Sequence, residues 1–361
     1  TPCWLMSPGS VSQYLPQEEG LFDVLIVDEA SQLRTAEVAP SALRCKQMLI
    51  FGDTKQMPPD AGFSGRVDDD HDEYEIGESV LERAAKSIPC ERLCWHYRSH
   101  HEDLIRYSNH AYYNDELVIF PSHVIDDPDL GVRHEYVGGH YCGRKNRAEA
   151  QRASEILCEY LLEQMQKPEA ERFSIGVVAM NVDQRDLIKE LFEQAKAEKP
   201  ALQRAADAAD QTREPPFITN LESVQGDERD HIVISCTYGP EAEGLRPRNV
   251  WMQINKPGGE RRLNVLFTRS KRKMTVLASL HPSDITGGTL GSKHFRGFLE
   301  FASRRVLTDQ GAPTGGDAES VFEEAVGMAL REAGYDFDYQ VGVKGYRIDI
   351  ALKDPADANR Y

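Results

Sequence analysis

The sequence predicts a mixed α/β protein built around parallel sheets. Short, almost continuous apolar segments at residues 22–27 and 47–51 alternate with polar loops and helical stretches. Apolar runs of this length suit strands that are covered on both faces, as in a parallel sheet. Ligands of such sheets bind at the carboxyl ends of the strands, which is where both polar loops fall. We therefore expect a ligand site beside these loops.

The composition bounds the class of protein. The chain has 361 residues, of which 40% are hydrophobic and 28% charged, enough for two or three soluble globular domains. No apolar run approaches the ~18 residues of a membrane span, and the N-terminus does not read as a secretory signal. The seven cysteines lack the spacing of a disulfide framework or a metal ribbon, so we expect reduced thiols in a cytoplasmic protein.

The charge limits how this chain could bind nucleic acid. A net charge of −17 argues against binding driven by the overall charge. A polyanion would need a local basic patch, for which the segment RRLNVLFTRSKRK at 261–273 is a candidate. Such a run taken alone is more often a solvated surface.

The remaining elements follow in order along the chain. A second α/β unit begins near residue 88, and the stretch 193–213, rich in alanine and charge, predicts a helical excursion within it. Residues 308–317, dense in Gly, Pro and Asp, predict a linker. The predicted strands of the second unit lie at 175–179, 231–235 and 274–278.

The last segment predicts a helix and then a hairpin. The helix begins after Ser320 and ends at Gly334, and the strands at 339–341 and 346–350 flank a glycine-bearing turn. One apolar helix face is predicted from Val321, Phe322, Ala325, Ala329 and Leu330.

The segment LIVDEAS at 25–31 ends a predicted strand in two adjacent carboxylates, Asp28 and Glu29. Such a pair either caps a following helix or handles a metal and a water beside a nucleotide. Further elements follow in the order GDTKQMPP with Gln56, LCWHYRSH with Arg98, LESVQGDERDH, and RLNVLFTR with Arg269. Five elements in this order are far more specific than any one of them.

These blocks resemble motifs II to VI of superfamily-one helicases, in the branch that includes the nonsense-mediated decay helicase. The early WLMSP resembles the short motif before their Walker B strand, and the resemblance covers roughly residues 1–280. It implies RecA-like domains that use ATP and Mg²⁺, with Asp28 holding the metal and Glu29 orienting and deprotonating the attacking water. Gln56 would sense the γ-phosphate.

The resemblance also implies residues in the second RecA-like domain. Arg98 and Arg269 would neutralise the charge that develops on the transferred phosphoryl group, a role worth ~10³ to 10⁵ in rate. The residues expected to contact the nucleotide and couple it to the nucleic-acid track are Gln225, Gly226 and Glu228.

The domains implied are a partial first RecA-like domain at 1–88, a second at 89–305, and a linker at 306–318. A phosphate loop of the form GxxxxGK(S/T) is absent from the 361 residues. We therefore expect a chain that begins inside the first domain, binds ATP weakly or not at all, and does not hydrolyse it. The reading frame upstream of Thr1 would decide this.

Residues 319–361 resemble the start of a restriction-endonuclease-like domain related to very-short-patch repair nucleases. The resemblance implies that Glu323 and Asp349 bind a metal, with a third ligand expected beyond Tyr361, so we expect no cleavage by this chain. Ser320 and Glu323 also form a capping-box pattern, which leaves a structural role open for Glu323.

Other readings stay open. The resemblance implies a nucleic-acid partner, with DNA favoured over RNA, and we expect no association with a membrane. The parent protein is a helicase or translocase, a nuclease served by the motor, or a non-catalytic clamp that ATP switches. Weaker metal candidates are the acidic loop at 68–73 and the cluster Cys90, Cys94, His96, His100 and His101.

Overall fold

A computed structural model describes residues 3–59, 78–124, 127–305, 307, 316–343, 346–357 and 359–361. The chain divides into two compact units. The first comprises Thr1–Leu93 and Lys256–Arg262, and the second comprises Cys94–Asn255 and Leu263–Tyr361. The segment after residue 318 is grouped with the second unit. The domain limits implied at 88/89 and 318/319 stay predictions.

The first unit holds a pair of parallel strands, β1 (Phe22–Val27) and β2 (Cys45–Ile50), together with short helices. The predicted strand at 22–27 is present with the same bounds, and the second begins two residues earlier than predicted. Val27, Ala30, Val38 and Val80 form a small core on one face. Its elements are α1 (Pro8–Tyr14), β1 (Phe22–Val27), α2 (Thr35–Ala42), β2 (Cys45–Ile50) and α3 (Val80–Ala85).

The second unit is built around a five-stranded parallel sheet with the strand order β5-β11-β10-β8-β9. The sheet strands are β5 (Gly131–Tyr136), β8 (Ile175–Ala179), β9 (Phe217–Asn220), β10 (Arg229–Ser235) and β11 (Ser270–Ala278). Short strands are β3 (Trp95–His96), β4 (Val118–Ile119), β6 (Tyr141–Cys142) and β7 (Lys145–Asn146). The helices are α4 (Asp103–Tyr113), α5 (Arg147–Met165), α6 (Val182–Glu198), α7 (Pro200–Asp210), α8 (Gly259–Phe267) and α9 (Leu290–Arg304).

The predicted strands of this sheet are present. β8 has the predicted bounds, whereas β10 and β11 each begin at a polar residue, Arg229 and Ser270. These two residues pair across the sheet, so ladder hydrogen bonds extend the strands beyond their apolar segments. The predicted helical excursion is also present as the end of α6 and α7, whose Leu202 is fully buried.

The C-terminal segment folds as a helix on an antiparallel hairpin, as predicted. Gly334, at φ +84°, follows the helix end, because a left-handed backbone there favours glycine. The predicted apolar face is wrong, since Val321 and Phe322 are 82% and 77% exposed. The helix is instead buried at Gly327, where an added Cβ would lie 1.8 Å from Tyr339 Oη. The elements are α10 (Val321–Glu332), β12 (Phe337–Val343) and β13 (Tyr346–Leu352).

This hairpin contacts the segment that follows β4. The rings of Phe120 and Tyr346 lie 5.1 Å apart, and the Tyr361 N–H donates to the His123 carbonyl at 3.0 Å. These contacts place the C-terminal segment against the second unit. Among the described residues, no helix is both long and apolar enough to cross a bilayer.

Candidate functional site

The carboxylate pair lies at the carboxyl end of β1, with both side chains exposed. Glu29 adopts a left-handed backbone at φ 51°, which is uncommon for a residue other than glycine. Its N–H donates to Asp28 Oδ1 at 2.9 Å, and Gln32 Nε2 donates to Glu29 Oε2 at 3.2 Å. The turn therefore holds both carboxylates at the end of the strand and orients them by hydrogen bonds.

The loop after β2 lies directly beside this turn. The Phe51 N–H donates to the Val27 carbonyl at 2.7 Å, and the Ala30 N–H donates to the Phe51 carbonyl at 2.9 Å. Gly52 fits because an added Cβ would lie only 3.0 Å from the Ser31 nitrogen. The two polar loops predicted to share a sheet edge are thus in contact.

Gln56 is positioned by the same loop. Its Nε2 donates to Asp53 Oδ2 at 3.2 Å, and its N–H donates to the Asp53 carbonyl at 3.1 Å. Asp53 also accepts the Lys55 N–H at 2.8 Å. Gln56 is therefore held in a compact turn at the end of β2.

The residues of the first unit fit a hydrated magnesium ion. Mg²⁺ prefers oxygen ligands and usually keeps several waters, so one or two carboxylates are enough to hold it. Asp28 is exposed, and its Oδ1 is oriented by the Glu29 N–H. Asp28 would hold the ion, which when bound would neutralise charge on the nucleotide phosphates.

In the second unit, two predicted site residues form an ion pair. Arg98 Nε lies 3.1 Å from Glu228 Oε2, with the side chains 46% and 36% exposed. The other oxygen of Glu228 lies 3.9 Å from Lys271 Nζ, which itself binds both oxygens of Glu214 at 2.7 and 2.8 Å. The structure thus brings Arg98 and Glu228 together from segments far apart in the chain.

Arg269 is buried at the end of α8. Its Nε donates to the Val265 carbonyl at 2.8 Å, and its Nη2 donates to Thr268 Oγ1 at 3.3 Å. The Arg269 carbonyl accepts the Arg229 N–H at 3.2 Å, which ties it to the residue after Glu228. Its side chain thus makes hydrogen bonds to the last turn of α8 and to the residue that follows this helix.

Gln225 and Gly226 lie in the turn that precedes β10. Gln225 Nε2 is buried without a hydrogen-bond partner among the described residues, which is costly for an amide. Gly226 has φ +88° and open space where a Cβ would lie. An unpaired buried donor beside an open, left-handed glycine fits a turn that receives a ligand.

The predicted residues of the two units lie at opposite ends of the strands, at the carboxyl end in the first unit and at the amino ends in the second. Asp28 follows β1, whereas Glu228 and Arg269 immediately precede the neighbouring strands β10 and β11. The second unit therefore presents its predicted nucleotide residues at the amino ends of its strands. The predicted strands at 22–27, 231–235 and 274–278 already imply this placement along the chain, and the structure confirms it.

His96 lies near Arg98 and is uncharged at neutral pH. Burial, and then the nearby Arg98 charge, lowers the pKa of His96 from 6.5 to about 4. Its Nε2 lies 2.8 Å from Ser99 Oγ. A neutral ring at this place adds no positive charge beside Arg98.

In the C-terminal segment, Glu323 is engaged by local hydrogen bonds. Its carboxylate accepts the Glu319 N–H at 2.8 Å, Ser320 Oγ at 2.9 Å and Gln340 Nε2 at 3.0 Å. The Glu319 N–H, and then Ser320, hold the pKa of Glu323 below its usual range. Asp349 is exposed on β13. It lies opposite Gln340 in the hairpin, because the residues on either side of Asp349 pair with the residues on either side of Gln340. Ser320 caps the helix by accepting the Glu323 N–H, while the Glu323 carboxylate accepts the N–H of Glu319, one residue before the N–H that a capping box would engage. A metal-binding role of Glu323 stays a prediction.

Metal clusters can be considered only for the described residues. There, no group of three or more His, Cys, Asp or Glu side chains is placed to hold a metal ion. The acidic loop at 68–73 lies outside the described residues.

Sequence reasoning missed several residues that shape these sites. Ser31 is 2% exposed, and its Oγ has no hydrogen-bond partner among the described residues. Only its adjacency to the carboxylate pair could have drawn attention to it. The residues missed are Ser31, Gly52, Lys271 and Gln340.

The fold and these sites define a mixed α/β protein with polar residues at the ends of the strands of parallel sheets. A family model described as "AAA domain" matches residues 76–281, more than half of the chain, and the chain belongs to this family. The five-stranded parallel sheet confirms the predicted α/β class, and the endonuclease-like domain stays a prediction.

Relatives share sequence over most of this chain. It is 32% identical over 308 residues to "Uncharacterized ATP-dependent helicase MG140" of Mycoplasma genitalium, covering 81% of this chain and 26% of that protein. It is 25% identical over 281 residues to "Regulator of nonsense transcripts 1 homolog" of Neurospora crassa, covering 72% and 22%. The chain thus spans about a quarter of the length of these relatives.

Among solved structures, the chain is similar to the C-terminal domain of a possible DNA helicase from Lactobacillus plantarum. The TM-score is 0.27 at 12% identity, over 50% of this chain and 86% of that one. This likeness is too loose to support an argument.

Proposed function

We propose that this chain supplies part of the motor of an ATP-dependent helicase or translocase that moves on nucleic acid. The observation that carries the proposal is the cluster at the amino ends of β10 and β11. There Arg98 pairs with Glu228, and Arg269 lies in the adjoining turn. Arginines gathered from separate motifs are what phosphoryl transfer needs, because its catalysis is mainly positioning and charge neutralisation.

The proposed roles are those that the resemblance implies, and the positions of the side chains support them. Asp28 would hold Mg²⁺, and Glu29 would orient and deprotonate the attacking water. Gln56 would sense the γ-phosphate, since its turn adjoins the carboxylates. Gln225, Gly226 and Glu228 would contact the nucleotide. The relatives named as helicases support the motor at the level of the family.

The direct test is ATP hydrolysis stimulated by a single strand, measured for the protein encoded by the complete reading frame that contains these residues. Glu29→Gln should reduce turnover by at least about 10³-fold while nucleotide stays bound, and Arg269→Ala should act similarly. Glu19→Gln, at an exposed position before β1, is the matched control and should behave as the unaltered protein. Unchanged hydrolysis by Glu29→Gln would reject the assigned role of Glu29, and a variant that keeps its function on nucleic acid without stalling would reject the motor and favour the non-catalytic clamp.

The 361-residue chain by itself has no phosphate loop, so we expect weak or no ATP binding and no turnover. Oligothymidylate and oligouridylate binding by this chain would separate DNA from RNA, with DNA favoured.

A second candidate function is nucleic-acid cleavage by the C-terminal segment. It is favoured by the position of Asp349 across the hairpin from Gln340, which binds Glu323. For the complete reading frame, metal-dependent nicking that Asp349→Ala abolishes while unwinding continues would assign two activities. Nicking that survives Asp349→Ala would remove this residue from the assignment.

A further inference from the structure

A completely buried polar network lies at the carboxyl ends of the strands in the five-stranded sheet. The predicted nucleotide residues of the second unit lie at the amino ends of these strands. The network joins the carboxyl ends of β10 and β11 to the first turns of α5 and α6. Buried polar groups destabilise the fold unless they are fully paired. We therefore expect a network of this size to hold a particular backbone conformation. Its members, each 0% exposed, are Asn146, Glu149, Gln184, Ser235, Thr237 and Ser279.

Glu149 is at the centre of this network, and donors surround it. Ser235 Oγ donates to its Oε2 at 2.8 Å, and the Thr237 N–H donates to the same oxygen at 2.6 Å. Asn146 Nδ2 donates to its Oε1 at 3.3 Å. Each oxygen thus faces an N–H, which cannot accept a hydrogen bond. Protonation of either oxygen would weaken one of these N–H contacts.

Among the contacts of Glu149, the one with Thr237 involves a strained backbone. Its backbone has φ +68°, a left-handed conformation that is a genuine outlier for a β-branched residue. Such strain persists only where the surroundings hold it, and it is concentrated at functional positions. The bond from its N–H to Glu149 and the bond from Thr237 Oγ1 to the Ser235 carbonyl at 3.2 Å hold it here.

The strained residue adjoins two neighbouring loops. Thr237 Oγ1 accepts the Met180 N–H at 3.4 Å, at the carboxyl end of β8. On its other side, Tyr238 packs against the buried Trp251, with ring centroids 5.2 Å apart. Ligands of parallel sheets bind at the carboxyl ends of strands, which is where these loops lie.

We propose that Glu149 is a positioning residue whose ionised carboxylate holds Thr237 left-handed, so that gain of a proton releases the strand-end loops of the second unit. The consequence for binding a single strand rests on the proposed function. The step involves one proton, which Glu149 takes from solvent as the loops open. In the open state the carboxyl group stays buried but has lost the Thr237 N–H, so its pKa lies above that of the closed state and protonation favours opening.

Burial and nearby hydrogen-bond donors determine the pKa of Glu149. Burial raises the pKa of Glu149 to about 7, and the surrounding donors oppose that rise. Cys236, next to Thr237, is the titratable neighbour, and burial keeps the pKa of its thiol raised, so it stays neutral. Outside the network, Arg144 before α5 and Asp183 in α6 pair with each other at 2.7 Å. The packed side chains from α6 and β11, Gln184 and Ser279, are uncharged.

The test is hydrogen exchange of the 361-residue chain at pH 6 and pH 8, corrected for intrinsic rates, in peptides spanning 232–241. The ionised fraction of Glu149 should rise from roughly a tenth to roughly nine tenths over this range, so protection of the Thr237 region should rise at pH 8. Glu149→Gln should remove the pH dependence, whereas the exposed α5 variant Glu159→Gln should keep it.

A second variant keeps the test decisive if Glu149→Gln does not fold. Ser235→Ala removes one donor to the carboxylate and should move the midpoint to higher pH. A transition that survives Glu149→Gln, or a midpoint unchanged in Ser235→Ala, would overturn the proposal, as would no transition in the unaltered chain.

Binding of oligothymidylate, followed by fluorescence anisotropy at the same two pH values, examines the functional consequence. Affinity should change severalfold between them in the unaltered chain and in Glu159→Gln, and stay constant in Glu149→Gln. Absence of binding at both pH values would count against the proposed function, while the exchange transition would still decide the role of Glu149. Equal affinity at both pH values despite that transition would overturn the coupling of Glu149 to binding.

Discussion

At the residue scale, close backbone approach shapes the first site as much as its charged groups do. Gly52 brings the loop after β2 against the turn that carries Asp28 and Glu29. The sequence indicates the two carboxylates, because an acidic pair after an apolar strand is conspicuous. It does not indicate why residue 52 is glycine, since that depends on an element met only in the folded chain.

Gly52→Ala should loosen the first unit. The added Cβ would lie 3.0 Å from the Ser31 nitrogen and 3.1 Å from the Ala30 nitrogen, and backbone atoms give way less readily than side chains. We expect destabilisation of about 1 to 3 kcal/mol, measured as faster hydrogen exchange in β1 and β2. Gly9→Ala, with open space at its Cβ, is the control and should not accelerate exchange. Equal exchange in the two variants would contradict the packing argument.

At the element scale, α10 shows that packing against another element can decide which helix face is buried, even where the apolar pattern predicts a different face. Its predicted face is largely exposed, because the helix meets the hairpin through Gly327 instead. Helical periodicity correctly predicts the helix, but a missing side chain gives no hydrophobic signal. The contact with Tyr339 decides which side of α10 is buried.

Gly327→Ala should release α10 from the hairpin, although alanine favours helix over glycine by about 1 kcal/mol. The new Cβ would lie 1.8 Å from Tyr339 Oη and 2.9 Å from Phe337 Cζ, and overpacking of this kind costs about 1 to 3 kcal/mol. Proteolysis within 321–332 should accelerate. Gly327→Ala with Tyr339→Phe removes the closest atom and should restore part of the protection. A more resistant Gly327→Ala single variant would show that helix propensity dominates.

At the scale of the whole molecule, the buried carboxylate of Glu149 links stability to pH. A carboxyl group with a raised folded-state pKa favours the folded chain when it is protonated. This contribution is fully present below the ordinary value of 4.5 and is lost as pH rises through about 7. Burial lowers the pKa of His231 to about 3, so His231 instead favours folding above its ordinary value of 6.5.

The stability of Glu149→Gln relative to the unaltered chain should therefore depend on pH. The difference in free energy of unfolding should shift in favour of the variant by about 3 kcal/mol between pH 4.5 and pH 8. Urea denaturation of both proteins at several pH values measures it, and the contribution of His231 cancels in the comparison. A difference that stays constant over this range would show that Glu149 does not titrate on unfolding.

The sequence by itself determined the α/β class, the main strands and the order of the polar motifs, because strand periodicity and motif chemistry are local properties of the chain. It singled out Asp28, Glu29, Gln56, Arg98 and Arg269 for the same reason. Only the tertiary structure decided that Arg98 pairs with Glu228, that Arg269 folds against its own helix, and that Glu149 holds a strained Thr237. Those features depend on burial and on contacts between segments far apart in the chain, and neither has a local signature.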